Sequence, residues 1–228
     1  MTGCPLLSVI IAARNDEGTI GLLLSDLGRL TVPYEAIVVD GGSSDFTAAI
    51  ARVAGARMPL GPVEASRSGQ LRAGAAAARA PLLLFLDAYV RLAPDAVRLL
   101  DEVVVARPPC AMVFRERISA AGISYRLAER WTDVRVRRLR LPRGDQGLLV
   151  RREDYLRAGG YPRLPGLEDI ALARALCRVT QLHLLDAPLH VPARPRARPG
   201  LRRVRSWIHL IRHLLGTSAA PPLNGAGP

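Results

Sequence analysis

The sequence predicts a single α/β domain, with a mostly parallel central sheet flanked by helices. Three observations predict it. Short, continuous apolar runs alternate with helix-patterned stretches through the first half of the chain, the order of strand–helix–strand units with right-handed crossovers. Three of those runs end in a polar cluster that carries an aspartate: Arg14-Asn15-Asp16, Asp40-Gly41-Gly42-Ser43 and Asp87. The chain has 228 residues, 49% of them hydrophobic, enough for one sizeable core and too apolar for a disordered or fibrous chain.

The elements follow in order. Residues 6–13 (LLSVIIAA) form an apolar, β-rich run of the kind buried on both faces of a parallel sheet. A helix then turns Ile20, Leu23, Leu24 and Leu27 inward. Residues 36–39 make a second strand ending at Asp40, and Gly41 to Asp45 form a tight turn with helix-capping chemistry. A helix over residues 46–53, a short strand near 56–58, and an Ala-rich helix over 69–79 come next. Residues 82–86 are a buried strand ending in Asp87. Pro94 opens a helix at a favoured first-turn position, with Val97, Leu100 and Val104 on one face. Residues 111–114 are a further strand.

The second half is less regular. Residues 119–140 read as a strongly basic helix, 147–150 as a short strand, and 152–158 as a short helix stopped by Gly159 and Gly160. Glu168 and Asp169 open a helix reaching Arg178, and residues 182–185 make a last strand. A Pro/Arg-rich connector over 191–200 leads to an amphipathic basic helix at 201–216 and a tail at 217–228 expected to be disordered. The expected division is thus a domain over residues 1–200, its halves at 6–118 and 119–200, followed by the helix and the tail.

Composition narrows the partners. All 32 basic residues are arginine against 20 acidic ones, a formal charge of +12. A GC-rich genome accounts for the larger share of that bias, yet the surplus of forked, permanently charged donors suits phosphate or anionic lipid. Nucleic acid is not expected, because aromatics are only 4% and no aromatic platform interleaves the arginines. Cys4, Cys110 and Cys177 are odd in number and widely spaced, fitting reduced thiols rather than a disulfide frame. No secretory signal and no run approaching about 18 apolar residues is evident. A cytoplasmic protein, or one peripheral to the inner membrane face, is expected. The stripe Leu201, Val204, Ile208, Ile211 and Leu215, flanked by arginines, either docks on the domain or contacts a membrane through residues 201–215, with Trp207 at the interface.

In an open parallel sheet, ligands sit outside the carboxyl ends of the strands, so the three polar strand ends line one prospective pocket. Asp40 suits a nucleobase imide or a ribose hydroxyl, and Asp87 a divalent cation bridging a diphosphate. Each aspartate alone equally suits a turn cap. No glycine-rich phosphate loop of the GxGxxG or GxxxxGK[ST] type occurs, which argues against a dinucleotide oxidoreductase or a P-loop enzyme. Glu168 and Asp169 follow a turn-rich stretch and can be aimed into a cleft as a general base; complementing the helix dipole is the simpler use of the same pair. Gly144-Asp145-Gln146-Gly147 allows close backbone approach to a ligand, or is a surface turn. His209 and His213 are spaced i, i+4 but lack a third ligand, and His183 and His190 read as structural.

Taken in order, SVIIAARNDEGTI, IVVDGGSSDFT, SRSGQLRAGAAAARAPLLLFLDA, GDQGLLVRREDYLRAGGYP and LEDIALARAL resemble family 2 glycosyltransferases of the GT-A, Rossmann-like fold. The chain is most similar to a small bacterial subgroup described as selenodomain-associated transferase 2, and its Arg-rich end resembles that subgroup's tail, so the likeness runs over residues 6–216. The resemblance implies a nucleotide-diphosphate sugar donor, an unidentified hydroxyl acceptor, and inversion at the anomeric carbon. It implies that the half at 6–118 binds nucleotide and the half at 119–200 the acceptor. It implies nucleotide-sugar contacts at Asn15, Asp16, Asp40, Arg67 and Asp87. Gln70 falls on the glutamine of the same segment as Arg67, where Ser66 replaces the usual glycine. Asp145 and Gln146 fall on the acceptor side, and Asp169 on the catalytic base with Glu168 beside it.

One departure bears on the cofactor. The family's metal motif is D-x-D, or H-A-D in the subgroup, and this chain has Asp87-Ala88-Tyr89. A phenol is a poor ligand for Mg2+ or Mn2+, so the expected divalent metal is in doubt. Asp87 alone holds the metal, or arginines such as Arg67, Arg143 or Arg151 neutralise the diphosphate, or catalysis is lost and nucleotide-sugar binding kept. The expectation is a transferase with weakened or unusual metal dependence. A catalytically impaired binding protein is the alternative, and a nucleotidyltransferase, lacking its glycine-rich, lysine-bearing signature, is remote.

Overall fold

The computed structural model describes residues 4–59, 63–64, 66–164 and 166–193. The chain divides into a unit of Met1–Ala193 and a second unit, Arg194–Pro228. The helix and tail expected beyond residue 200, with His209 and His213, lie outside the described residues.

Seven strands form one sheet in the order β2-β1-β3-β6-β5-β7-β4. They are β1 Leu7–Ala13, β2 Tyr34–Asp40, β3 Leu82–Asp87, β4 Arg91–Leu92, β5 Cys110–Ser119, β6 Leu148–Arg151 and β7 Gln181–Pro192. The long ladders are parallel: β1 with β2 over seven registered pairs, β1 with β3 over six, β5 with β7 over ten. The short ones, β3–β6, β5–β6 and β4–β7, are antiparallel. Strand β6 therefore inserts, reversed, between the two parallel halves.

The helices are α1 Glu17–Leu27, α2 Thr47–Val53, α3 Arg67–Ala77, α4 Pro94–Ala106, α5 Ile123–Leu139, α6 Arg152–Arg157 and α7 Glu168–Leu176. Alternation along β1 separates two cores. Leu7, Val9, Ile11 and Ala13 join a cluster with α1 and α4 residues such as Leu23, Leu27, Val97 and Leu100. Ile10 and Ala12 join one with α3 and α7 residues such as Leu71, Ala75, Leu172 and Leu176. The sheet is thus covered on both faces, which is why its strands read as unbroken apolar runs. The Ala-rich α3 lies close on the sheet, since a Cβ at Gly74 would stand 2.3 Å from Ile10 Cγ2.

Differences from expectation have local causes. Helix α3 begins at Arg67, two residues early, because the Ser66 hydroxyl caps it by accepting from Gly69 N–H at 3.0 Å. The strand expected near residues 56–58 reduces to one isolated bridge, Ile37 with Arg57. The segment from residue 119 opens on strand, not helix: β5 runs to Ser119 and α5 starts at Ile123, after Gly122 at φ 132°. Strand β7 extends past its expected end to Pro192, pairing edge-on with the two-residue β4, which is too short to carry a sequence pattern. No helix among the described residues is long and apolar enough to cross a membrane.

Candidate active site

Strands β1, β2 and β3 run parallel, so Ala13, Asp40 and Asp87 emerge at one edge of the sheet. In register, Ala13 faces Asp40 and Ala12 faces Asp87. Two strand spacings separate the aspartates, about 10 Å. Behind them, buried Gln70 on α3 donates through Nε2 to Ala13 O and Val39 O, each at 2.8 Å. That amide fastens the ends of β1 and β2. It also explains Gly41, where a Cβ would meet Gln70 Nε2 at 2.7 Å.

The two loops leaving β1 and β2 are stitched together. Asn15, at φ 55°, accepts through Oδ1 from Ser44 N–H at 2.9 Å, and its own N–H donates to Ser43 Oγ at 2.9 Å. Asp16 N–H donates to Thr47 Oγ1 at 2.7 Å, and Asp16 Oδ2 accepts from Arg14 N–H at 2.9 Å. Asp40 accepts from Ser43 N–H at 3.2 Å and from the Ser43 hydroxyl. Asp40 is therefore a turn cap, yet it remains partly exposed at the mouth of the loops. Asn15 and Asp16 are exposed and half-buried beside it.

Arg67 joins the rest of the site. From the first turn of α3 its Nε donates to Asp87 Oδ1 at 2.6 Å and its Nη1 to Asp169 Oδ1 at 2.9 Å, with Glu168 Oε1 3.7 Å away. Residues 67, 87 and 169, from α3, β3 and α7, thus meet around one guanidinium. Burial alone would depress the Arg67 pKa, but Asp87 and Asp169 outweigh it and hold the group charged. Asp169 is pushed toward its neutral form: burial raises its pKa, and the attraction of Arg67 offsets this only in part. Tyr161 is fully buried beside this group, and burial and the Asp169 charge push its phenol well above the ordinary value.

The turn Gly144–Gln146 closes over the cluster. A Cβ at Gly144 would stand 2.4 Å from Arg67 Nη2 and 2.6 Å from Asp169 Oδ2, so only glycine lets the turn come this close. Asp145 is next to it, its Oδ1 buried and 3.7 Å from Arg143 Nε. Gln146 does not face the cleft as an acceptor-side residue would. It is fully buried; its Nε2 donates to Phe114 O at 3.1 Å and its Oε1 accepts from Arg143 N–H at 3.0 Å. Its side chain shapes the turn rather than touching a ligand. Arg151 also falls away from the site: it pairs in register with Leu82, at the opposite end of β3 from Asp87.

Sequence reasoning undervalued Tyr89. Its hydroxyl donates to Asp87 Oδ2 at 2.7 Å, so both Asp87 oxygens have partners. In nucleotide sites Mg2+ or Mn2+ is held by one or two carboxylates together with the substrate's phosphates. Here both Asp87 oxygens are engaged, by Arg67 and Tyr89, and the second side chain of the motif is a phenol, a poor donor set for such an ion. Among the described residues no group of three His, Cys, Asp or Glu converges elsewhere.

A family model described as Glycosyl transferase family 2 matches residues 8–160. In the curated proteins, 92 residues are 37% identical to a 4,4'-diaponeurosporenoate glycosyltransferase of Staphylococcus haemolyticus, covering 38% of this chain and 24% of that protein. A Staphylococcus aureus protein of the same name is 48% identical over 50 residues, 22% of this chain and 13% of its own. The chain thus spans about a quarter or less of these relatives. Among solved structures, a mannosyltransferase from Pyrobaculum calidifontis in complex with GDP-Man and Mn2+ superposes with a TM-score of 0.73 at 20% identity, over 97% of this chain and 67% of that one. A glucosyl-3-phosphoglycerate synthase from Mycobacterium tuberculosis, in complex with Mn2+, UDP and glucosyl-3-phosphoglycerate, gives 0.63 at 22% identity, over 97% and 82%. At such identities the likeness is one of fold.

Proposed function

Because this chain belongs to glycosyl transferase family 2, we propose that it transfers a sugar from a nucleotide-diphosphate donor to a hydroxyl acceptor, with inversion. The observation that carries the reading is the convergence of Asp87 and Asp169 on Arg67 at the carboxyl edge of the sheet. The stitched loops of Asn15, Asp16 and Asp40 receive the nucleoside. The diphosphate lies toward Asp87 and draws on the Arg67 guanidinium, whose fork suits phosphate oxygens. Asp169 takes the acceptor proton as the acceptor oxygen attacks the anomeric carbon. The bond from that carbon to the diphosphate oxygen breaks, and the nucleoside diphosphate leaves with the electron pair. Asp145 and the backbone of Gly144 border the acceptor. No step is routed through a metal ion, since the Asp87-Ala88-Tyr89 donor set does not fit one. Membership of the selenodomain-associated subgroup rests on the sequence resemblance alone.

Asp169→Asn keeps the shape of the site and removes the base. The variant should lose transfer, read as nucleoside diphosphate released from a panel of nucleotide sugars. It should keep the thermal shift that UDP or GDP gives the wild type. Unchanged release would remove Asp169 from the mechanism.

A further inference from the structure

Helix α5 has an apolar line on the side where a surface helix is normally polar. Its inner face, Glu129, Thr132 and Val136, is buried. Opposite that face, Ile123, Leu127, Trp131 and Val134 are 80%, 58%, 55% and 48% exposed. Spacings of four, four and three residues set them along one side of the helix. Single exposed apolar residues are ordinary, whereas a continuous line of four marks an interaction surface.

The charges around the line have one sign. Arg138 continues it, and Arg130 and Arg137 flank it, all exposed. The acidic residues of the helix are used inward. Glu129 accepts from Ile118 N–H at 2.7 Å and from Arg126 at 2.6 Å. Asp133 pairs with Arg115 at 2.9 Å. The outer face therefore offers aliphatic carbon, one indole and arginines.

We propose that α5 is a membrane-docking helix, which lays this face on an anionic lipid surface. Arginine forks suit lipid phosphates, Trp131 suits the interfacial zone, and Leu127 and Val134 enter the acyl boundary. Charge decides against a second copy, which would set these arginines against themselves. After α5 the chain leads directly into the turn that carries Gly144 and Asp145. If the transferase reading above holds, docking sets the acceptor side against the headgroups, within reach of hydroxyls borne by lipids.

The test uses the full chain with Trp207→Phe, which leaves Trp131 as its one indole of two. Vesicles of phosphatidylcholine alone are compared with vesicles containing phosphatidylglycerol. Trp131 emission should shift to the blue and be quenched by brominated acyl chains only with the anionic vesicles. Arg130→Gln, Arg137→Gln and Arg138→Gln should each weaken vesicle binding about fivefold, and Leu127→Glu should abolish the shift while circular dichroism stays unchanged. Unmoved Trp131 emission overturns the proposal, even where the protein sediments with the vesicles. So does a concentration-dependent dimer, seen by light scattering, that Leu127→Glu disperses, because it would make a second copy the occupant. Binding is read without any sugar donor, so its failure leaves the transferase reading standing, and loss of transfer leaves the docking helix standing.

Discussion

Replacing Gly144 by alanine adds one methyl group and removes no polar atom. The new Cβ would stand 2.4 Å from Arg67 Nη2, 2.6 Å from Asp169 Oδ2 and 2.7 Å from Arg67 Cζ, where ordinary contact begins at 3.4 Å. The Arg67–Asp169 pair must therefore retreat by about 1 Å, or the turn must. Gly144 does not adopt the left-handed conformation that favours glycine, so the backbone accepts the change. The atoms displaced are side-chain tips, so the fold yields cheaply: the overpacking should cost about 1 kcal/mol, at the low end of such substitutions, and lower Tm by about 2–4 °C. The reacting geometry yields dearly, since a 1 Å misplacement can reduce turnover about a hundredfold. The assay is kcat/KM for nucleoside diphosphate release from the best nucleotide-sugar donor, with Tm measured alongside. Wild-type kcat/KM in Gly144→Ala would refute the placement of Arg67 and Asp169 at the reacting centre. A collapse of Tm by tens of degrees would refute the reasoning that only side-chain tips are displaced.

Three further outcomes follow from the same cluster. Burial raises the Asp169 pKa above its ordinary 3.8, and the base must be ionised to act, so the acid limb of the kcat/KM profile should fall at a pH above 3.8. Between 3.8 and the raised value the native state binds more protons than the unfolded chain, so this residue's contribution to stability is lost as pH rises through that window. Asp169→Asn should remove that slope from urea-melting profiles, and an unaltered slope would assign it to another group. Tyr89→Asp exchanges the phenol on Asp87 for a second carboxylate and should tighten Mn2+ binding measured by electron paramagnetic resonance. Equal Mn2+ affinity in variant and wild type would show that the phenol is not what sets the affinity there.

Local signals carried a good deal of the site. Asp40 and Asp87 end unbroken apolar runs, and that position alone predicts a shared edge of a parallel sheet. Asp169 opens a helix after a turn, which predicts a carboxylate aimed outward but not at what. The resemblance of the Arg67 segment to a known motif pointed to phosphate contact. Nothing local indicated that Arg67 bridges Asp87 and Asp169, because its partners lie 20 and 102 residues away. Gln146 is expected on the acceptor side because the family resemblance implies it; its two flanking glycines suit a close ligand or a surface turn equally. Its burial depends on the carbonyl of Phe114, 32 residues earlier.

The amino-acid order by itself determined the α/β class, the covered sheet and the edge where the aspartates emerge, since periodicity and strand-end chemistry are local properties. Only the tertiary structure decided which charges neutralise which, that Tyr89 occupies Asp87, and that the apolar line of α5 faces outward. The reason is physical: hydrogen bonds, ion pairs and burial are set by distances between segments. A helix with apolar residues on two sides does not disclose from sequence alone which side the sheet will cover.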